Sequence, residues 1–212
     1  MDDYFEDEDL RQFYYRKPRM RRQSVFGEFT KFLLIACVAC FVLSAMIGFD
    51  MNFMELVIFN SDNALSYPWI FVTNAFFHAG ISHLFVNLWA IFMFGSFLEL
   101  KRGSKFMVKL FFSSVIIANI VFGLFNPGVP GLGISGFVYA IIGSVVVFEP
   151  ETRIFILPFP VPLKISVVGP IFLLISIVFA FTVSDGIAHI AHAAGFIVGY
   201  ALSMYYKKKS IY

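Results

Sequence analysis

The sequence predicts an all-α, polytopic membrane protein built as a bundle of six transmembrane helices, and three observations carry that expectation. Hydrophobic residues make up 59% of the 212-residue chain and charged residues only 14%, where a soluble domain carries about 25% charged residues. Mean hydropathy is +0.80, so the chain has too little polar surface to cover itself and lipid must be its solvent. The apolar residues fall into runs at 32–47, 81–98, 106–125, 135–148, 165–181 and 187–205, most of them long enough to cross about 30 Å of hydrocarbon at about 1.5 Å per residue. The sixteen Lys and Arg then fix the orientation. With both termini cytoplasmic, the external segments 48–80, 126–134 and 182–186 contain no Lys or Arg, although they hold Asp50, Glu55, Asp62 and Asp185. Every basic residue then lies inside or at the inner interface, as the positive-inside rule requires. The net charge of +2 is a topology signal, with nothing to suggest nucleic acid, and no nucleic-acid partner is expected.

Residues 1–26 read as a cytoplasmic tail, acidic and then Arg-rich, without apolar periodicity and poorly ordered. The charged head at 2–22 is too long for a cleavable signal, so the first run is itself the anchor. Cys37 and Cys40 lie within that run as small packing residues. The outer loop at 48–77 is unusually apolar. Part of it is expected to lie in the interface as a short helix, with Tyr67 and Trp69 at headgroup depth. The second run opens on His78, His83 and Asn87 and closes on Glu99. His83 and Asn87 share one helical face near its outer end and can donate toward a common point. Glu99 reads as structural, tying the inner end to Arg102 or to a neighbouring helix end.

The fourth run is the most informative. At fourteen residues it spans about 21 Å, too short to cross the core. The preceding segment 126–133, with Pro127, Gly128, Pro130, Gly131 and Gly133, cannot be helical and is too apolar for a solvated loop. It is expected to re-enter the protein from the outer side, which starts the helix about 10 Å below the outer surface with Ser135 at its N-terminus. Unpaired N–H groups there suit an oxyanion forming beside a serine nucleophile. The same serine could equally be a helix cap, and its position alone allows both readings. Pro158, Pro160 and Pro162 favour an extended inner link before the fifth run.

In the last run Gly195 and Gly199 form a small-xxx-small face, matched by Gly136, Ala140 and Gly143 in the fourth. Packing those faces would bring a histidine against Ser135. His189 and His192 are both candidates. Spacing favours His192, which has glycine three and seven residues later and lies one turn deeper. His189 follows Asp185 by four residues, a spacing suited to an exposed hydrogen-bonded pair at the helix mouth.

Taken together these segments resemble the rhomboid intramembrane serine proteases over nearly all of 27–205. Gly133-Ile134-Ser135-Gly136 is similar to that family's GxSG motif, His83 with Asn87 to its HxxxN, and Ala191-His192 through Gly195 and Gly199 to its AHxxGxxxG. Pro68-Trp69, Phe77-His78-Ala79-Gly80, Gly95 and Leu98-Glu99 resemble its outer loop and second span. The sequence departs at Ile70, where the family often has Arg. The resemblance implies Ser135 as nucleophile and His192 as general base, with His83, Asn87 and the Ser135 backbone N–H binding the oxyanion. It implies Tyr139 stacked on the catalytic histidine and His78 at the mouth of the site, with Gly133, Gly136, Gly195 and Gly199 in support. No carboxylate neighbours His192 in sequence, so the pair is expected to act as a dyad.

A soluble α/β-hydrolase is excluded, since GxSxG would need glycine at Phe137. Two alternatives remain: a histidine-rich metal-dependent membrane protein, and a catalytically inactive relative that binds membrane clients. The expected organisation is a tail at 1–26, a six-helix protease domain at 27–206 and a basic tail at 207–212. No metal and no cofactor is expected. The expected partners are transmembrane substrates and the bilayer, in the plasma membrane; the sequence names neither a client nor an oligomeric state.

Overall fold

The computed structural model describes residues 26–48, 50–155 and 161–209. Its helices are α1 Glu28–Ile47, α2 Met51–Val57, α3 Ile70–Thr73, α4 Ile81–Arg102, α5 Ser104–Phe125, α6 Ser135–Phe148, α7 Ile165–Thr182 and α8 His189–Lys209. Four of them, α1, α4, α5 and α7, are long and apolar enough to cross a membrane. The expectations for residues 1–25, for Pro158 and Pro160, and for 210–212 fall outside the described residues.

Helix α1 starts four residues before the apolar run that announced it, and the cause lies far along the chain. A helix begins with N–H groups that have no intrahelical acceptor. Here the Phe29 and Thr30 amides donate to the Glu99 carboxylate at 2.9 and 2.7 Å, and the Thr30 hydroxyl donates to it at 2.6 Å. The Ser104 hydroxyl donates to the same group from the start of α5. Glu99, 3% exposed, therefore caps a neighbouring helix. Arg102 turns instead to Glu149, which Lys101 also meets at 2.7 Å. A Cβ at position 27 would overlap the Glu99 carboxyl group where it now lies, so a larger residue there would have to displace this cap. Within α4, Ile91–Gly95 forms a wider, π-type turn.

Helix α6 is the hub. Ten of its fourteen residues are buried, and Phe137, Ile141 and Val145 pack in one cluster with Leu33, Ile91, Leu98, Leu110, Phe111 and Phe196 from surrounding helices. An apolar helix that is buried nearly all round has a fixed height and rotation, so whatever stands at its first residue is held rigidly.

The segment 50–80 packs at this end of α6. It contains the short helix α2, and the Trp69 indole N–H donates to the Leu56 carbonyl at 2.7 Å. Ile70 is fully buried, in a cluster with Phe59, Ala64, Phe122 and Ala191, apolar surroundings in which an unpaired charge would be costly. The non-helical segment before α6 is stitched to residues 59–61. Phe59 and Gly131 exchange backbone hydrogen bonds at 3.1 and 2.8 Å, Asn60 donates to the Gly128 carbonyl, and the Gly128 amide donates to Ser61 Oγ. At the other end of the molecule β1 (Arg153–Ile154) pairs antiparallel with β2 (Leu163–Lys164), and α8 continues through Lys209 with the Lys207 ammonium donating to the Val147 carbonyl. Cys37 is buried, Cys40 half-buried, and both are free thiols.

Candidate active site

Ser135 is the first residue of α6, after an N-cap at Ile134 that makes no side-chain cap bond. The hydrogen-bond partner of its hydroxyl among the described residues is a histidine ring, not an amide of the helix. The hydroxyl lies 2.8 Å from His192 Nε2. Two helices distant in sequence meet at this point because their backbones touch. A Cβ on Gly195 would lie 2.1 Å from the Gly136 carbonyl oxygen, and one on Gly199 would lie 2.0 Å from that of Ala140. A Cβ on Gly143 would in turn meet the Phe196 carbonyl oxygen. Real side-chain carbons need over 3 Å from an oxygen, so only glycine permits this approach, and the approach sets the serine–histidine distance.

The imidazole is held by packing. The Tyr139 ring stacks on the His192 ring with centroids 4.4 Å apart and planes 8° from parallel, and the residue is 8% exposed. Its Nδ1 has no hydrogen-bond partner among the described residues. Among the described residues no carboxylate is hydrogen-bonded to the ring. For Nε2 to accept the serine proton, the ring hydrogen must sit on Nδ1.

Gly133, at φ +111°, faces the His83 ring; a Cβ would lie 2.8 Å from His83 Cε1. Both the backbone conformation and the space require glycine. His83 is thus brought beside the segment that enters Ser135, and the Ser135 amide, in the first turn of α6, has no intrahelical acceptor. Asn87 is 4% exposed and donates one amide hydrogen to the His83 carbonyl at 3.0 Å. That bond uses one amide hydrogen of Asn87 and leaves the second available. His78 is fully buried and sits edge-on to His83 at 5.1 Å. Burial, and then the neighbouring His83, push its imidazole down to about 4, so it is neutral at physiological pH.

His189 does pair with Asp185, Nε2 to Oδ2 at 3.1 Å, but not as the exposed helical pair expected from spacing. Helix α8 begins at His189, so Asp185 precedes it and accepts from the Ile187 amide at 2.9 Å. His189 is 8% exposed and packs edge-on against Phe179 and His192. The Ile187 N–H, and then His189, hold the Asp185 carboxyl below the usual carboxylate range. Among the described residues no group of three His, Cys, Asp or Glu could hold a metal ion.

The site is thus a serine at the start of a buried helix, hydrogen-bonded to a histidine on a glycine-packed neighbour, within a largely apolar helical bundle. Residues 66–209 match the Rhomboid domain family, and the chain belongs to that family. It is 31% identical over 120 residues to the rhomboid protease GlpG of Klebsiella pneumoniae, covering 56% of this chain and 43% of that protein. It is 25% identical over 183 residues to the rhomboid-like protease 3 of Toxoplasma gondii, covering 84% of this chain and 68% of that protein. The chain spans less than half the length of the bacterial relative. Membership makes it an integral, multi-pass helical membrane protein.

Proposed function

We propose that the chain is an intramembrane serine endopeptidase that hydrolyses peptide bonds in the transmembrane segments of other membrane proteins. The observation that carries this reading is the 2.8 Å contact between Ser135 Oγ and His192 Nε2 under the stacked Tyr139 ring. Ser135 Oγ attacks the scissile carbonyl as His192 Nε2 takes its proton. Charge develops on the carbonyl oxygen, where the Ser135 N–H, His83 and the free Asn87 amide hydrogen donate to it. Collapse breaks the C–N bond, His192 gives the proton to the leaving amine, and the acyl chain stays on Ser135 as an ester. Water, deprotonated by His192, then attacks the ester, releasing the acid and restoring the serine. Packing by Tyr139 and the glycine contacts replaces the orienting carboxylate of a triad.

In this reading residues 27–206 form a six-span protease domain with cytoplasmic termini in the plasma membrane, flanked by tails at 1–26 and 207–212. The segment 126–134 re-enters from the outer side, which puts Ser135 below the surface yet within reach of external water. His192 is the base and His189 is not, supported by the separate bond of His189 to Asp185. The test is cleavage of labelled single-span peptides in liposomes. Ser135→Ala and His192→Ala are expected to be inactive, and His189→Ala to keep substantial activity. Cleavage by the Ser135→Ala protein would end the serine mechanism. A dead His189 variant beside an active His192 variant would reassign the base.

A further inference from the structure

Two asparagines outside the proposed machinery meet in the interior. Asn74 opens the 3-10 turn that follows α3, and Asn119 lies toward the end of α5. They are 3% and 7% exposed. Their amides pair reciprocally, each Nδ2 donating to the other Oδ1 at 3.0 Å. The remaining hydrogens reach backbone: Asn119 donates to the Phe71 carbonyl at 2.9 Å and Asn74 to the Gly131 carbonyl at 3.4 Å. The Asn74 backbone carbonyl, in turn, accepts from the Gly133 amide at 2.9 Å. One residue thus grips the entering segment on both sides of Leu132, which stands three residues ahead of Ser135.

Apolar side chains could fill this space without the cost of burying two carboxamides in a lipid-embedded bundle. What an amide pair adds is a single permitted geometry. Dispersion contacts tolerate sliding, whereas a buried network with every donor used loses a hydrogen bond for any shift. The segment it holds has little tolerance, since Gly133 is already in contact with the His83 ring. A movement of Gly133 by about 1 Å would collide with His83 or open a gap beside it, and would carry the Ser135 amide with it.

We propose that Asn74 and Asn119 are a positioning pair that sets the Gly133–Ser135 segment against His83 and thereby aligns the oxyanion-binding groups. This rests on the reading of Ser135 as the nucleophile. Neither residue touches substrate; both act through the backbone of the segment.

The test uses the full chain in liposomes with a fluorogenic single-span peptide that the wild-type protein cleaves, active sites being counted by fluorophosphonate titration. Asn119→Leu is expected to lower kcat per titrated site about tenfold while KM moves less than about twofold, because the lost alignment matters in the transition state. A purely structural role would lower the amount of folded protein and leave kcat per site unchanged; that result overturns the proposal. Combining Asn119→Leu with His83→Ala discriminates further. A combined loss smaller than the product of the single losses is expected, since both act on one oxyanion site. A loss equal to the product overturns the proposal. Should the leucine variant fail to accumulate, Asn119→Ser, too short to reach Asn74, is read in the same way. The Ser135→Ala control separates the two levels. If it is inactive and Asn119→Leu is normal, only the positioning role falls; if it still cleaves, the nucleophile assignment falls and takes this inference with it.

Discussion

Replacing Gly195 by alanine tests how the site is held together. The added Cβ would lie 2.1 Å from the Gly136 carbonyl oxygen and 2.9 Å from its carbon, both backbone atoms of α6. A carbon needs about 3.3 Å from such an oxygen, so α6 and α8 must part by about 1.2 Å at this level. Gly195 is one turn below His192 and Gly136 adjoins Ser135, so the separation passes almost directly to the catalytic contact. The Ser135–His192 distance of 2.8 Å would open to about 4 Å, beyond hydrogen-bonding range. Misplacement on this scale costs about a hundredfold in rate, and the forced overpacking costs about 1–3 kcal/mol in stability. The assay is kcat/KM for a labelled single-span peptide in liposomes, with thermal unfolding measured in parallel. Ile197→Ala, on the exposed side of the same helix, is expected to behave as wild type. A folded Gly195→Ala protein with wild-type kcat/KM would show that the helix contact does not set the serine–histidine distance.

Three further outcomes follow from the geometry. Glu99→Ala removes the acceptor for the Phe29 and Thr30 amides, the Thr30 hydroxyl and the Ser104 hydroxyl. It should destabilise the protein by about 2–4 kcal/mol in thermal or denaturant unfolding, and an unchanged midpoint would contradict the capping role. Asp185 is held below its ordinary range by the Ile187 N–H and then by His189, so its contribution to stability is fully present above the unfolded pKa of about 3.9 and is lost as pH falls through the lower folded value. Asp185→Asn should therefore lose the part of the acid dependence of the melting temperature below about pH 4 that the wild type shows, while cleavage at neutral pH persists; identical acid profiles would refute it. Cysteines introduced at positions 62 and 185 should react with an impermeant reagent from outside intact cells, and one at 103 only from inside. External reaction at 103 would overturn the proposed orientation.

The helices were legible because lipid imposes long apolar runs, and the starts of α6 and α7 fall where the sequence places them. The approach of α6 to α8 was legible in Gly195 and Gly199, since small residues four apart mark touching backbones. What escaped depends on partners remote in sequence. The start of α1 is fixed by a carboxylate some seventy residues away, which no hydropathy window can see. The Asn74–Asn119 clasp joins a loop to a helix across forty-five positions. Asn119 did carry a signal, being a lone amide within a long apolar run, but its partner could not be named without the fold. The π-type turn at Ile91–Gly95 has no proline or paired glycine to announce it. His189 looked like a surface residue because its spacing from Asp185 was read as helical, whereas the helix begins only at His189.

The most direct measurement is the location of the covalent adduct left by a fluorophosphonate probe. Protein labelled in liposomes would be digested and the modified peptide sequenced by mass spectrometry, for the wild type and for His192→Ala. A single adduct on Ser135 is expected, because only that hydroxyl has a histidine nitrogen at 2.8 Å among the described residues. It should be lost in His192→Ala, where no base remains to take the proton. An adduct on another serine, or peptide cleavage that continues with Ser135 unmodified at saturating probe, would contradict the assignment of Ser135 and His192 as the catalytic pair.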